Sequence, residues 1–183
     1  VRVAKGRAIS EFGSRRAHGA DAANLGARAA YIGGAAASAN TYTDRHLGIP
    51  ATGTMAHSWV QSFDSEIESF RAYAEVYPSS CLLLVDTYDV LRSGIPNAIK
   101  VFNELNEKGY RPLGIRIDSG DIAYLTKETR KMLDAAGFED AKIVVSNSMD
   151  EFKIRDLLNQ GAKIDSFGVG ERLITAKSDP VFG

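Results

Sequence analysis

Cysteine is almost absent: Cys81, heading the apolar run CLLLV, is the only one in 183 residues. A lone thiol excludes a disulfide framework and a cysteine-based zinc site, and it fits a reducing, cytoplasmic setting. Long hydrophobic runs are missing too. No apolar stretch nears the roughly 18 residues of a membrane span, and VRVAKGRAIS has no signal-peptide h-region, so no membrane partner is expected. Nor does one sign of charge dominate. The 22 Lys and Arg against 23 Asp and Glu leave a net charge of −1, which gives no global footprint for nucleic acid, and any anion binding must be local.

Several catalytic signatures are also lacking. There is no G-x-x-x-x-G-K-[ST], no H-E-x-x-H, no G-x-S-x-G, and no complete G-x-G-x-x-G opening a helix after the first strand. His57 has no second histidine at metal-ligand spacing, which makes a metal hydrolase a weak reading. The chain starts without methionine and stops at SDPVFG, and the expectation is an excerpt of a larger protein.

What is present is alternation. Short apolar runs suited to buried strands lie at 8–13, 50–54, 81–86, 112–118, 142–146 and 166–173, and most are followed by a stretch of helical period. One-sided stripes fall at Ala22, Leu25, Ala29 and Ile32; at Ile67, Phe70, Ala74 and Tyr77; at Ile95, Ile99, Phe102 and Leu105; and at Ile122, Leu125, Met132 and Leu133. Ser65 with Glu68 and Ser148 with Glu151 read as capping boxes. Gly109, Gly137 and Gly161 sit where a left-handed residue closes a helix. A strand–helix unit recurring about every 30 residues predicts an α/β fold with parallel strands, either an open doubly wound sheet or a (β/α) barrel. The absence of an obvious strand-order reversal favours the barrel.

Polar residues gather after the strands: EFGSRR (11–16), GTMAHS (53–58), VDTYD (85–89), RIDSGD (116–121), SNS (146–148) and GVGER (168–172). In either fold the carboxyl ends of parallel strands share one face, where ligands bind. Arginines grip phosphate or carboxylate, and backbone N–H groups at GVG and at the helix start after Ser148 can cradle phosphate. Aspartates suit a ribose, magnesium or charge developing at carbon. A sugar phosphate carrying further phosphates fits this mixture. Each piece also has a plainer reading: Arg15 and Arg16 as a solvated pair, Asp118 or Asp121 as helix caps, Asp86 and Asp89 as turn boundaries, His57 as a satisfied core histidine, His18 and His46 as surface or structural residues, and GVG as too short to be specific.

Taken in order, EFGSRR, HGADAANLGARAAYIGG, GIPATGTMAHSW, VDTYD, RIDSGD and GVGERL resemble the nicotinate phosphoribosyltransferase family, type II phosphoribosyltransferases. The resemblance implies an incomplete α/β barrel, supplied in part by residues 1–183, with a largely N-terminal second domain and a C-terminal remainder outside this sequence. It implies a homodimer whose active site the partner completes. The reaction implied is ATP-coupled transfer of phosphoribosyl from phosphoribosyl pyrophosphate to nicotinate, a step of NAD biosynthesis, with magnesium as cofactor.

Residue by residue, the resemblance makes His57 the group phosphorylated by ATP, with Thr54 and Ser58 beside it. Phe12 stacks on the pyridine, Arg15 and Arg116 meet substrate and phosphates, and Asp86 and Asp118 face the ribose and the reacting ring. Asn147, Gly168 and Gly170 complete the expected site. Neutral imidazole is a competent nucleophile near pH 7. Amide-using relatives carry an acid in the segment equivalent to Ala36–Asn40, where this chain reads AASAN, and lack of an acid there favours nicotinate. The alternatives are a nicotinamide or quinolinate phosphoribosyltransferase, or a non-catalytic phosphate-binding barrel.

Overall fold

The computed structural model describes residues 1–175. In chain order the elements are β1 (Ala8–Glu11), α1 (Ala20–Ile32), β2 (Ala37–Ser38), α2 (Thr41–Leu47), α3 (His57–Gln61) and α4 (Glu66–Val76). There follow β3 (Leu82–Leu84), α5 (Ile95–Glu107), β4 (Gly114–Ile117), α6 (Ile122–Ala135), β5 (Lys142–Val145), α7 (Glu151–Asn159), β6 (Ser166–Val169) and α8 (Glu171–Ile174). The chain divides into two compact units. The first comprises Val1–Gly53, Ser146–Asn159 and the chain from Asp165 on; the second comprises Thr54–Val145 and Gln160–Ile164.

Within the first unit β1 pairs in parallel with both β2 and β6. Within the second, β4 pairs in parallel with both β3 and β5. Among the described residues neither β2 nor β3 has a second strand partner. The fold is the α/β class expected, an incomplete barrel of parallel strands. Strands buried on both faces need apolar side chains throughout, and β3 is buried at each of its three leucines. In the second unit the core gathers Phe70, Leu83, Leu84, Phe102, Ile115, Ile117, Leu133, Phe138 and Ile143, all essentially inaccessible. Phe102 and Phe138 meet edge to face with centroids 5.4 Å apart. In the first unit Ile9, Ala27, Met149 and Phe167 play this part.

The expected helix ends hold in four places. Ser65 Oγ accepts from the Glu68 N–H at 3.4 Å, and Gly109, Gly137 and Gly161 have φ of 81°, 82° and 75°. Other expectations need correcting. Residues 50–54 form no strand, only a one-residue bridge of Ala51 to Ser38; Pro50 has no N–H to donate, and residues 50–53 lie exposed. The strand expected over 166–173 stops at Val169, and the chain turns at Gly170 into α8. Two-residue β2 was too short to read. Ser148 does not cap α7; the Asp150 carboxylate accepts from the Lys153 N–H at 2.8 Å, while Ser148 itself takes φ 51°.

The stripe chosen for α1 is on the wrong face. Leu25 and Ile32 are 65% and 70% exposed, whereas Ala23 and Ala27 are buried. Small residues face inward because neighbours come close: a Cβ at Gly26 would lie 2.8 Å from the Ile174 side chain. In α6, similarly, Thr126 and Thr129 occupy buried positions beside Ile122 and Leu133. The Thr126 hydroxyl is accommodated by donating to the Ile122 carbonyl at 2.8 Å.

Candidate active site

The second unit brings five of the expected residues together. After β3 the chain runs through Val85, whose N–H donates to the Arg116 carbonyl at 3.1 Å, to Asp86. Its departure from the sheet is set by Asp89, whose carboxylate accepts from the Leu91 and Arg92 N–H groups at 3.0 and 2.8 Å and opens a wide π-type turn, Val90–Gly94. That turn closes back on the strand end only because Gly94 lacks a side chain; a Cβ there would fall 1.9 Å from the Val85 carbonyl oxygen. Wide turns of this kind recur at functional sites. Asp86 is thereby held with its side chain 1% exposed.

The Asp86 carboxylate is satisfied on one side only. Oδ2 accepts from the Asp118 N–H at 3.0 Å and the Ser119 hydroxyl at 2.5 Å. Oδ1 is buried without a hydrogen-bond partner, and it lies 3.9 Å from His57 Nε2. Asp118 Oδ2 is 3.7 Å from the same nitrogen and 3.4 Å from Arg116 Nη2. Arg116 Nη1 donates to Thr54 Oγ1 at 2.8 Å. His57 is the first residue of α3, and its Nδ1 is 3.1 Å from Thr87 Oγ1. With 39% of its side chain exposed, the imidazole is hydrogen-bonded at Nδ1 and flanked by two carboxylates at Nε2.

In the first unit, Phe12 follows β1, and its N–H donates to the Val169 carbonyl at 2.7 Å. The glycines of GVG are spacers for this aromatic: a Cβ at Gly168 would meet the Phe12 ring at 2.5 Å, and one at Gly170 would meet the Phe12 carbonyl oxygen at 3.1 Å. Arg15 lies exposed on the 3-10 turn Ser14–Arg16. Arg16 Nη1 is 3.7 Å from Glu171 Oε2. Asn147 is exposed at φ 88°, and its carbonyl accepts from Lys153 Nζ at 2.8 Å.

Thus His57, Asp86, Arg116, Asp118 and Thr54 form one cluster, while Ser58 is exposed on α3. Thr54 serves Arg116. The hydroxyls next to His57 and Asp86 belong to Thr87 and Ser119, which sequence reasoning did not single out; each adjoins a strand-end aspartate, the signal that could have found it. Asp121 takes the plainer reading and caps α6, accepting from the Tyr124 N–H at 3.1 Å. Glu11, also not singled out, is a fully buried acid at the end of β1.

Comparison with known proteins identifies the family. The curated nicotinate phosphoribosyltransferase of Bacillus subtilis (strain 168) is 53% identical over 173 residues, covering 94% of this chain and 35% of that one. Nicotinate phosphoribosyltransferase pncB2 of Mycobacterium tuberculosis (strain H37Rv) is 47% identical over 180 residues, covering 98% and 38%. The chain therefore spans little more than a third of the length of these relatives. Among solved structures, human nicotinic acid phosphoribosyltransferase superposes with a TM-score of 0.80 at 30% identity, over 92% of this chain and 45% of that one. Nicotinate-nucleotide pyrophosphorylase from Pyrococcus furiosus also gives 0.80, at 27% identity over 95% and 44%. The model of the nicotinate phosphoribosyltransferase (NAPRTase) family matches residues 7–179, and the chain belongs to that family.

Proposed function

We propose that the protein carrying this chain transfers phosphoribosyl from phosphoribosyl pyrophosphate to nicotinate, yielding nicotinate mononucleotide and pyrophosphate, and couples the transfer to ATP through a phosphohistidine at His57. The observation that carries the reading is the half-satisfied carboxylate of Asp86 beside an exposed imidazole. Buried polar atoms are normally paired, and an unpaired carboxylate oxygen facing His57 marks a place where positive charge is to be stabilised.

The cluster explains how His57 becomes a nucleophile. Nε2 lies near two carboxylates at distances too long for hydrogen bonds but short enough for electrostatic bias, which favours the proton on Nε2. Nδ1 then carries the lone pair, which the Thr87 hydroxyl holds by donating to it in the resting site and must turn away from before the nitrogen attacks. In phosphorylation the Nδ1 lone pair attacks the γ-phosphorus of ATP, an N–P bond forms as the bond to the ADP oxygen breaks, and the ring becomes cationic. Asp86 and Asp118 offset that cation. Arg116, anchored by Thr54 and Asp118, is a fixed guanidinium for phosphate oxygens.

Magnesium, if bound with the diphosphate, would find its protein ligands at the Asp86 and Asp118 carboxylates. Among the described residues no group of three acidic, histidine or cysteine side chains would cage it, whereas Asp86 Oδ1 and Asp118 offer the one or two carboxylates such an ion takes. When bound it neutralises charge on the leaving diphosphate. Departure of that group leaves positive charge on the ribose, and the pyridine nitrogen attacks its anomeric carbon. The chain's part is positioning and electrostatics, with no acid–base pair required. Phe12 supplies a stacking surface for the pyridine, and Arg15 a cation for the carboxylate.

Family membership and the names of the relatives support nicotinate as the acceptor, as does the acid-free segment Ala36–Asn40. Competition among labelled nicotinate, nicotinamide and quinolinate in a phosphoribosyl-transfer assay, with and without ATP, tests the proposal. Nicotinate should be converted in preference and ATP should stimulate its conversion; preference for either rival, or no transfer, would refute it.

A further inference from the structure

A second buried carboxylate, Glu11, takes no part in the chemistry above, yet it is completely inaccessible. It stands at the end of β1, directly before Phe12. Oε1 accepts from the Gly13 N–H, and Oε2 accepts from the Ser38 hydroxyl at 2.6 Å. The Ser38 oxygen in turn accepts from the Asn40 N–H at 3.0 Å. The Asn40 side chain accepts from the Tyr42 and Thr43 N–H groups and donates to Asn24 on α1 at 2.9 Å. The Glu11 carbonyl accepts from the Ala39 N–H at 2.8 Å.

One carboxylate therefore holds two backbone segments at once. On one side is the Phe12–Gly13 turn that leads into Arg15; on the other is Ser38–Asn40, the stretch in which an acid would select against a carboxylate substrate. Both oxygens are used, and hydrogen bonds to a carboxylate are the strong kind.

We propose that Glu11 is a positioning residue for pyridine recognition, fixing Phe12 and the 38–40 segment in one geometry; the inference rests on the reading of Phe12 as the pyridine-stacking surface. Glu11 touches no substrate. Its effect falls on nicotinate and leaves phosphoribosyl pyrophosphate alone.

Steady-state kinetics of the full-length protein test it. Glu11→Gln keeps the shape but presents one acceptor oxygen where two donors converge, and the nicotinate KM should rise by about tenfold or more, since small misplacements are costly. The phosphoribosyl pyrophosphate KM and the kcat at saturating nicotinate should change by less than about twofold by the same reasoning. Ser38→Ala should raise the nicotinate KM in the same direction, less steeply, and the double variant should be less than additive. An unchanged nicotinate KM in folded Glu11→Gln, or an equal rise for both substrates, overturns the proposal; if Glu11→Gln fails to fold, an unchanged nicotinate KM in Ser38→Ala does so. Phe12→Ala serves as the reference: a raised nicotinate KM there with none in the Glu11 and Ser38 variants defeats the positioning role alone, whereas an unchanged one defeats the pyridine assignment on which it rests.

Discussion

Glu11 and Asp86 are both buried acids at the carboxyl ends of parallel strands, yet they are treated in opposite ways. Glu11 has a donor for each oxygen. Asp86 has two donors on Oδ2 and none on Oδ1, which is left facing His57. A fully paired carboxylate ties segments together and lowers the energy of one arrangement. A half-paired one keeps free-energy cost in reserve for a charge that comes and goes. The distinction between scaffold and chemistry in this molecule lies in how each acid is satisfied, since both are carboxylates and both are buried.

Neutral substitution should separate the two. Asp86→Asn removes the charge that offsets a cationic His57, and kcat should fall by about 10²- to 10³-fold with the thermal midpoint nearly unchanged; retained kcat would erase the contrast. Glu11→Gln should show the reverse in a melting experiment. One buried donor loses its acceptor, costing roughly 1–3 kcal/mol, while turnover at saturation persists. If both variants lost stability and activity in parallel, the comparison would be broken.

Asp140 supplies the third case, an acid paired at the surface. Arg111 Nε is 3.1 and 2.9 Å from its two oxygens, and the hydrogen bond from Arg111 holds its carboxyl below the usual carboxylate range. A depressed folded-state value means that the stabilisation is present above the unfolded value and lost as pH falls through the folded one. The side chain is 56% exposed, so solvent screens the pair. Asp140→Asn should lower the midpoint slightly at pH 7 in low salt, and the gap from the unaltered protein should close both at acidic pH and in high salt. A gap as large as that of Glu11→Gln would show that burial is not what separates them.

The parts of the fold legible in the sequence are those set by local chemistry. Five of the six expected strands and all four long striped helices exist because apolar runs and glycine or serine boundaries act over a few residues. Capping by Ser65 and the left-handed glycines belong to the same class. Longer-range geometry was not legible. Whether Leu25 or Ala23 faces inward depends on how near Ile174 comes to Gly26, and nothing in the spacing of α1 encodes that distance. The candidate site divides the same way. His57, Asp86, Arg116 and Asp118 could be read from ordered motifs, whereas the partners that orient them, Thr87 and Ser119, join the cluster only once the strand ends are placed. Glu11 stands in the first motif, but nothing in the local sequence marks it as buried, since glutamate usually faces solvent.

The claim on which the account turns is that the imidazole between Thr87 and the two aspartates takes a phosphoryl group from ATP. Incubating the full-length protein with γ-labelled ATP and mapping acid-labile phosphate by mass spectrometry measures this directly. The account predicts label on His57, abolished in His57→Ala, with slower and ATP-independent transfer to nicotinate surviving in that variant. Absence of label at His57 in a preparation whose transfer to nicotinate is stimulated by ATP would contradict it.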